Sequence, residues 1–316
     1  ITNPQTPFRQ QKNQNGSVIE FGTNTLGTLR NFVAFTDAAA FSKPEVAIGK
    51  IGNQNLHGID NQDFAIIYHP EFQSEVMRFA EHRRSYSGLD VVTVNIDQLY
   101  NEFSSGAKDP AAIRDFARML FERNPDKFNY LLLFGDASFD PKNNTNSEDN
   151  KDFIPAYETA ESFSPINAFP SDDFYALLSP DEGSGLSGAL DIAVGRFVCK
   201  SGDEARAIVD KIVAYDKGPA TLGDWHLRAV YIADDEDGNA HINQADKLAI
   251  ENGQAESWYN IGKVYFDAYQ QVATSAGQRF PDAKAAINSE MFKGMLIANY
   301  IGHGGPRGLS QERVVD

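Results

Sequence analysis

Cysteine is almost absent from this chain of 316 residues, which contains only Cys199. A single thiol cannot form an internal disulfide, and it cannot build a zinc site made of several cysteines. The six histidines are scattered, and no two are spaced as His-x-x-x-His, so a transition-metal site has little support. The remaining options are metal-free chemistry or a hard cation held by oxygen ligands.

Basic residues are also scarce, with 28 Lys and Arg against 44 Asp and Glu. The resulting net charge of −16 argues against binding to nucleic acid or to an anionic membrane surface. No apolar run approaches the roughly 18 residues of a membrane-spanning helix. The sequence starts at Ile1, without Met and without a basic-then-apolar leader, so we expect a piece cut from a longer precursor.

The composition, with 41% hydrophobic residues, is that of a globular chain with two or three structural units. Residues 1–60 are rich in Asn, Gln, Gly and Thr and predict a β-rich segment. We favour the end of an N-terminal β-domain; the alternative is an edge layer on the α/β region that follows. Residues 61–189 predict a first α/β subdomain with a long loop region after residue 136. Residues 190–316 predict a second α/β subdomain.

Strand and helix patterns alternate after residue 60, which predicts right-handed crossovers and parallel sheets flanked by helices. Helix starts are marked by Asp109-Pro110 and by Ser201 with Glu204 three residues later. The apolar runs that predict strands are 64–68, 91–96, 130–134, 191–197, 229–233, 264–266 and 295–301. The stretches with helical spacing are 70–86, 110–120, 201–215, 240–253 and 282–291.

His303 lies at the end of one of these strands. The run from Met295 to Ile301 is largely apolar, as expected of a parallel strand covered on both faces. Gly302, Gly304 and Gly305 then flank the histidine, so the imidazole can be presented in open space at the carboxyl end of the strand. The alternative is a loop histidine that only packs or hydrogen-bonds.

An acidic run, residues 234–237, follows the strand at 229–233. A carboxylate close to a histidine can fix the tautomer of the imidazole and stabilise the imidazolium, which is half of a nucleophile–base–acid arrangement. The run is also typical of a solvated loop or of a Ca²⁺ site, with Asp234, Asp235 and Asp237 as candidate ligands. Cys199 is a poor nucleophile candidate, because its apolar surroundings predict a core position.

Four stretches resemble the gingipain-type cysteine peptidases, which have a caspase-like α/β fold, and they keep the order and spacing of that family along the chain. Tyr300-Ile301-Gly302-His303-Gly304 is similar to the strand end that carries their catalytic histidine. The other three are Ser171-Asp172-Asp173-Phe174-Tyr175, the Gly-Arg-Phe junction within 194–201, and Ile232-Ala233-Asp234-Asp235-Glu236. The last resembles the strand end where arginine-specific members carry the carboxylate partner of the histidine.

Within the family, the stretches 52–58 and 134–140 look most like the PorU-type peptidases of the type IX secretion system. That resemblance implies an exported enzyme at the outer membrane or cell surface of a Gram-negative bacterium. It implies removal of C-terminal sorting domains from exported cargo, with transfer of the acyl group to a surface lipopolysaccharide amine. The implied partners are these cargo proteins and other outer-membrane components of the secretion system.

Carried over by position, the resemblance makes His303 the general base and Glu236 its orienting partner, with the backbone at Gly302 and Gly304 in the oxyanion region. It implies no required cofactor, and the structural Ca²⁺ suggested by the acidic run stays a separate expectation. The nucleophilic cysteine of the family ends the strand after the histidine strand, so we expect it beyond Asp316 and expect this chain alone to be inactive. A secreted general protease and a non-catalytic binding scaffold of the same fold are the alternatives.

Overall fold

The computed structural model describes residues 13–15, 18–22, 27, 50–161, 163–164, 167–183, 186–218, 221–275, 277–305 and 308–315. The chain divides into two compact units, residues 1–53 and 54–316. The described part of the first unit contains an antiparallel hairpin of β1 (Asn13–Asn15) and β2 (Val18–Glu20). The other strands suggested within residues 31–49 lie outside the described residues.

The first sheet of the second unit is parallel and has four strands, in the order β4-β3-β5-β8. Its strands are β3 (Phe64–Tyr68), β4 (Val91–Asn95), β5 (Tyr130–Phe134) and β8 (Ala193–Phe197). Between β5 and β8, β6 (Tyr157–Glu158) and β7 (Pro170–Ser171) form a separate antiparallel pair. Every side chain of β3 is buried, and successive ones alternate between two apolar clusters, one on each face.

Helices cover both faces of this sheet, and polar caps mark where three of them begin. They are α1 (Gln73–Ser87), α2 (Ile96–Phe103), α3 (Pro110–Arg123) and α4 (Gly202–Asp216). The side chains of Asp109 and Ser201 accept hydrogen bonds from the first turns of α3 and α4, as the sequence predicted. The first predicted helix begins later than residue 70, because Pro70–Phe72 forms a single 3₁₀ turn before α1.

The second sheet is also parallel and has three strands, in the order β10-β9-β13. The elements of this region are β9 (Arg228–Ala233), α5 (Ala240–Ala255), β10 (Asn260–Tyr265), the hairpin of β11 (Val272–Thr274) and β12 (Gly277–Arg279), α6 (Pro281–Lys293), β13 (Ile297–Ile301), and the hairpin of β14 (Gly304–Gly305) and β15 (Gly308–Leu309). Among the described helices, none is long and apolar enough to cross a membrane.

Two sequence expectations need correction here. The strand before His303 is not covered on both faces: β13 pairs only with β9 among the described strands, and its side chains are half-buried or exposed. The buried central strand is β9 instead. The subdomain boundary at residues 189/190 was also placed too early, because β8 pairs with β5 and therefore belongs to the first sheet. The change from one sheet to the other follows α4.

Arg196 of β8 ties the long loop region after β5 to the first sheet. Its guanidinium pairs with both oxygens of Asp172, at 2.8 and 2.7 Å. It also donates to the carbonyls of Gly135, Ile154 and Pro155, at 2.8, 2.7 and 3.1 Å. Its side chain is only 9% exposed, so these acceptors depend on one buried cation. The resemblance to the family's Gly-Arg-Phe junction thus falls on a structural residue.

Candidate active site

The carboxyl ends of β9 and β13 lie side by side and bring a carboxylate to His303. The register pairs Ala233 with Ile301, and the backbone N–H of Asp234 donates to the carbonyl of Ile301 at 3.0 Å. Asp234 is therefore the first residue beyond β9 and lies directly across from the segment that carries His303. Parallel strands present their carboxyl ends at one edge of a sheet, which is where open α/β folds bind ligands.

The Asp234 carboxylate holds His303 at two points. Its Oδ2 accepts a hydrogen bond from the main-chain N–H of His303 at 3.0 Å and lies 3.1 Å from the ring Nδ1. The Asp234 side chain is 4% exposed and the His303 side chain is 46% exposed, so a buried carboxylate anchors an accessible imidazole. With Nδ1–H directed at the carboxylate, Nε2 is the nitrogen that is free to accept a proton.

Gly302 permits this close approach. A Cβ at this position would overlap the Cβ of Asp234 and would lie 2.5 Å from the hydroxyl oxygen of Tyr300. The Tyr300 hydroxyl donates to the carbonyl of His303 at 2.6 Å, and the N–H of Ser310 donates to the same carbonyl at 2.8 Å. Burial, followed by the charge of Asp234, raises the pKa of Tyr300, which keeps this donor protonated. The His303 backbone is thus fixed from three sides.

A second imidazole and a second carboxylate lie beside His303. Asp237 Oδ2 is 3.4 Å from Nε2 of His303 and 3.3 Å from Nε2 of His241. The two imidazole rings have centroids 5.0 Å apart and are nearly perpendicular. His241 is the second residue of α5, and the chain reaches it through a turn in which Glu236, Asp237 and Asn239 all have positive φ values.

An open cleft of about 430 Å³ adjoins the exposed side of His303. It is lined by His303, Gly304, Gly305, Gly308, Ser310, Gln311 and Arg313. Gly304 and Gly305 are exposed and form β14, so their backbone faces a space that could receive a substrate segment. The cleft therefore leaves the imidazole of His303 accessible to solvent.

The predicted site residues are distributed differently from the sequence expectation. His303 and Gly304 lie at the cleft, whereas Glu236 is exposed, and no described hydrogen bond or ion pair joins its carboxylate to His303. Asp234, and not Glu236, is the carboxylate that contacts His303. Asp234 could have been singled out from the sequence as the first polar residue after β9, whereas no sequence signal indicated His241. The catalytic roles of these residues remain predictions.

The three candidate Ca²⁺ ligands separate into two groups. Asp234 and Asp235 form a cluster with Glu312, in which carboxylate oxygens from the three residues lie within 4.8 Å of one another. Burial, followed by the charges of Glu312, Asp234 and Glu236, raises the pKa of Asp235 to about 6. Asp237 lies instead between the two imidazoles. A Ca²⁺ site that uses all three aspartates is therefore not assembled, and Ca²⁺ binding itself stays a prediction.

Cys199 lies in the core of the first sheet, as predicted. It is fully buried and belongs to the cluster formed by β3, β5, α1 and α4. Burial, followed by the charges of Glu204 and Asp136, raises the pKa of its thiol to about 12. A buried thiol that resists ionisation is not a nucleophile at neutral pH.

Comparisons with known proteins agree with this architecture. Residues 59–316 match the model of peptidase family C25. Gingipain R2 of Porphyromonas gingivalis is 25% identical over 195 residues, which are 61% of this chain and 22% of that protein. The chain thus spans about a fifth of the length of this relative.

Two solved structures are also similar. The Arg-specific cysteine proteinase gingipain R superposes with a TM-score of 0.56 and 18% identity, covering 80% of this chain and 49% of that one. Dimeric latent PorU from Porphyromonas gingivalis gives a TM-score of 0.47 and 32% identity, covering 53% of this chain and 17% of that one. The match to gingipain R shows a shared fold.

Proposed function

Because the chain belongs to peptidase family C25, a family of cysteine peptidases, we propose that it carries the histidine half of the active site of an endopeptidase that also transfers acyl groups. The substrates would be the C-terminal sorting domains of proteins exported by type IX secretion. The observation that carries the proposal is the buried Asp234 carboxylate fixed on the ring and backbone of the accessible His303.

Each residue has a defined task in the proposed reaction. Nε2 of His303 takes the proton of the attacking thiol, and the thiolate sulfur forms a bond to the scissile carbonyl carbon. Asp234 stabilises the imidazolium, which then protonates the departing amide nitrogen as the peptide bond breaks. An incoming amine or water attacks the acyl-enzyme, His303 accepts its proton, and the thiol is released. Backbone N–H groups at Gly302 and Gly304 would stabilise the oxyanion.

The thiolate in this proposal is not supplied by Cys199, which is buried in the first sheet with a raised pKa. The nucleophile is therefore expected from another segment of the parent protein, and its position beyond Asp316 stays a prediction. The chain without that thiol is expected to have no peptidase activity. Thiol-dependent turnover by the chain, lost in Cys199→Ala, would contradict this assignment.

The substrate class rests on the PorU-like motifs at residues 52–58 and 134–140. Two residues of the first motif contact α2: the backbone N–H groups of Leu56 and His57 donate to the Glu102 carboxylate at 2.8 and 3.1 Å. We propose on the same basis that the protein is exported to the cell surface, where its partners are sorting domains and other outer-membrane components of the secretion system.

The similarity to gingipain R2 favours a second candidate, a secreted general protease. To distinguish the two candidate functions, the parent protein is given two substrates: an exported cargo with its sorting domain and an unfolded bulk protein. Cleavage confined to the junction before the sorting domain, with transfer to an added amine, supports the proposal. Comparable cleavage of the unfolded protein supports the second candidate, and no thiol-dependent cleavage of either indicates a non-catalytic scaffold.

A further inference from the structure

His241, which takes no part in the proposed peptidase chemistry, lies within ligand distance of the active-site pair. Donor atoms of Asp234, His241 and His303 all lie within 4.8 Å of one another. The three residues come from the end of β9, the first turn of α5 and the end of β13, and the fold brings them together. Two imidazoles and one carboxylate form a set typical of zinc and related divalent transition metals, whereas Ca²⁺ prefers oxygen ligands alone.

The two histidines share one carboxylate partner at Nε2 but differ in the surroundings of Nδ1. Nε2 of each ring faces the same oxygen of Asp237, at 3.3 Å for His241 and 3.4 Å for His303. Nδ1 of His241 is buried and has no hydrogen-bond partner among the described residues. Buried polar atoms are almost always paired, so a water molecule or a metal ion is the expected partner of this ring nitrogen.

Asp237 has the position of an outer carboxylate in a metal site. Histidines that bind metals usually donate their second ring N–H to a carboxylate or carbonyl, which fixes the tautomer that leaves the other nitrogen free for the metal. Here one oxygen of Asp237 lies close to Nε2 of both rings, so a proton on each Nε2 leaves each Nδ1 unprotonated and available to a metal. Nδ1 of His303 already lies 3.1 Å from Oδ2 of Asp234.

We propose that His241, His303 and Asp234 bind a single Zn²⁺ ion, with Asp237 as the outer carboxylate that holds both imidazoles. The three side chains close around the ion, since zinc ligands lie only about 2 Å from the metal. Three protein ligands leave a fourth position for water. The His303 side chain is 46% exposed, which provides a path from solvent to the site.

Metal binding and the peptidase reaction require opposite tautomers of His303. In the peptidase state Nδ1–H faces Asp234 and Nε2 accepts the proton. In the zinc state Nδ1 binds the metal and Nε2–H donates to Asp237, so no nitrogen remains to act as a base. Zinc is therefore expected to inhibit the parent enzyme reversibly. This consequence rests on the proposed function, whereas the binding itself does not.

The test is calorimetric titration of the metal-free chain with ZnCl₂ at pH 7.5, so the readout is binding and not activity. The expected result is one ion per chain with a micromolar Kd. The variant His241→Ala should weaken binding at least tenfold, and excess CaCl₂ should not compete. The control is His57→Ala, which removes an exposed imidazole that faces a single carboxylate, Glu102. This control should leave the Kd within twofold.

A second variant protects the test against misfolding of His241→Ala. Asp237→Asn keeps all three ligands and should still weaken binding about 10-fold to 100-fold, since it removes the outer carboxylate. Circular dichroism checks that each variant is folded. The absence of saturable binding below about 1 mM would overturn the proposal. Binding that survives both His241→Ala and Asp237→Asn would overturn it as well.

Discussion

The Oδ2 atom of Asp234 contacts His303 twice, at the main-chain N–H (3.0 Å) and at the ring Nδ1 (3.1 Å). One buried oxygen therefore fixes both the backbone and the ring of the histidine. A ring held in this way loses little conformational entropy when it accepts a proton, which is what a general base requires.

Gly302→Ala is expected to disrupt this contact, because the added methyl would overlap Cβ of Asp234 and crowd the Tyr300 hydroxyl. Overpacking of this kind costs about 1–3 kcal/mol of unfolding free energy. Urea denaturation of the chain measures it. The matched control is Gly305→Ala, where no more distant residue in the described part of the chain lies within 4 Å of the position that the added methyl would take. Equal losses in the two variants would contradict the steric account.

Asp235→Asn is expected to stabilise the chain at neutral pH but not in acid. The pKa of Asp235 is raised to about 6 in the folded state, mainly by burial, whereas an unfolded aspartate ionises near pH 4. Ionisation therefore costs stability as the pH rises from about 4 to about 6, and the cost is complete above that range. Urea midpoints of variant and parent chains should differ at pH 7 and converge near pH 4.

Asp246→Asn serves as the control, because its effect on stability should have the opposite sign at pH 7. Hydrogen bonds from Lys263 (2.6 Å) and Tyr265 (3.1 Å) lower the pKa of Asp246. Its contribution is therefore present above the usual aspartate pKa and is lost in acid, so this variant should be less stable at pH 7. A pH dependence of the same sign in both variants would contradict the assignments.

Much of the fold follows from apolar runs and caps in the sequence. β3, β5 and residues 229–233 of β9 are continuous apolar runs, and the caps at Asp109 and Ser201 fix where two helices begin. Sheet membership is less visible, because β8 carries a strand pattern that suits either sheet. Only its hydrogen bonding to β5 assigns it to the first.

The site could be located from the sequence to within a few residues but not assembled. Two strands ending in polar residues indicated the edge of the second sheet where Asp234 contacts His303. The choice between Asp234 and Glu236 depends on the register that pairs Ala233 with Ile301, and on the positive φ of Glu236, which turns the chain away. His241 arrives from α5, and no local pattern reports such a contact.

Glu102→Gln is expected to loosen the start of the second unit. Burial alone would raise the pKa of Glu102, but hydrogen bonds from Leu56, Gln54 and His57 outweigh it and lower the pKa to about 2. The carboxylate therefore stabilises the fold above the usual glutamate pKa, and this contribution is lost as the pH falls towards 2.

Losing a charged hydrogen-bond acceptor costs about 1–3 kcal/mol of unfolding free energy. Urea denaturation at pH 7 should show this loss, together with faster amide exchange at Leu56. The control is Glu122→Gln, an exposed carboxylate whose partner is Arg118 on the same helix. Normal amide exchange at Leu56 in the Glu102 variant would contradict the account.

Arg196→Lys is expected to destabilise the chain by on the order of 2–4 kcal/mol, since one ammonium cannot replace the pairing with Asp172 and the bonds to three carbonyls. Thermal denaturation of the chain measures the loss. The control Arg118→Lys makes the same exchange in a solvent-accessible pair with Glu122 on one helix and should cost less than about 0.5 kcal/mol. A loss of stability no larger than that of the control would contradict the structural role of Arg196.

The most direct test of the central claim is the kcat for thiol-dependent cleavage by the parent protein with Asp234→Asn and, separately, Glu236→Gln. If Asp234 orients His303, the first change should lower kcat by about 10²–10⁴ because the amide cannot stabilise the imidazolium or hold its tautomer. The second should leave kcat within about threefold, which is a barrier change of less than about 0.7 kcal/mol. An unchanged rate in Asp234→Asn, with a large loss in Glu236→Gln, would contradict the account.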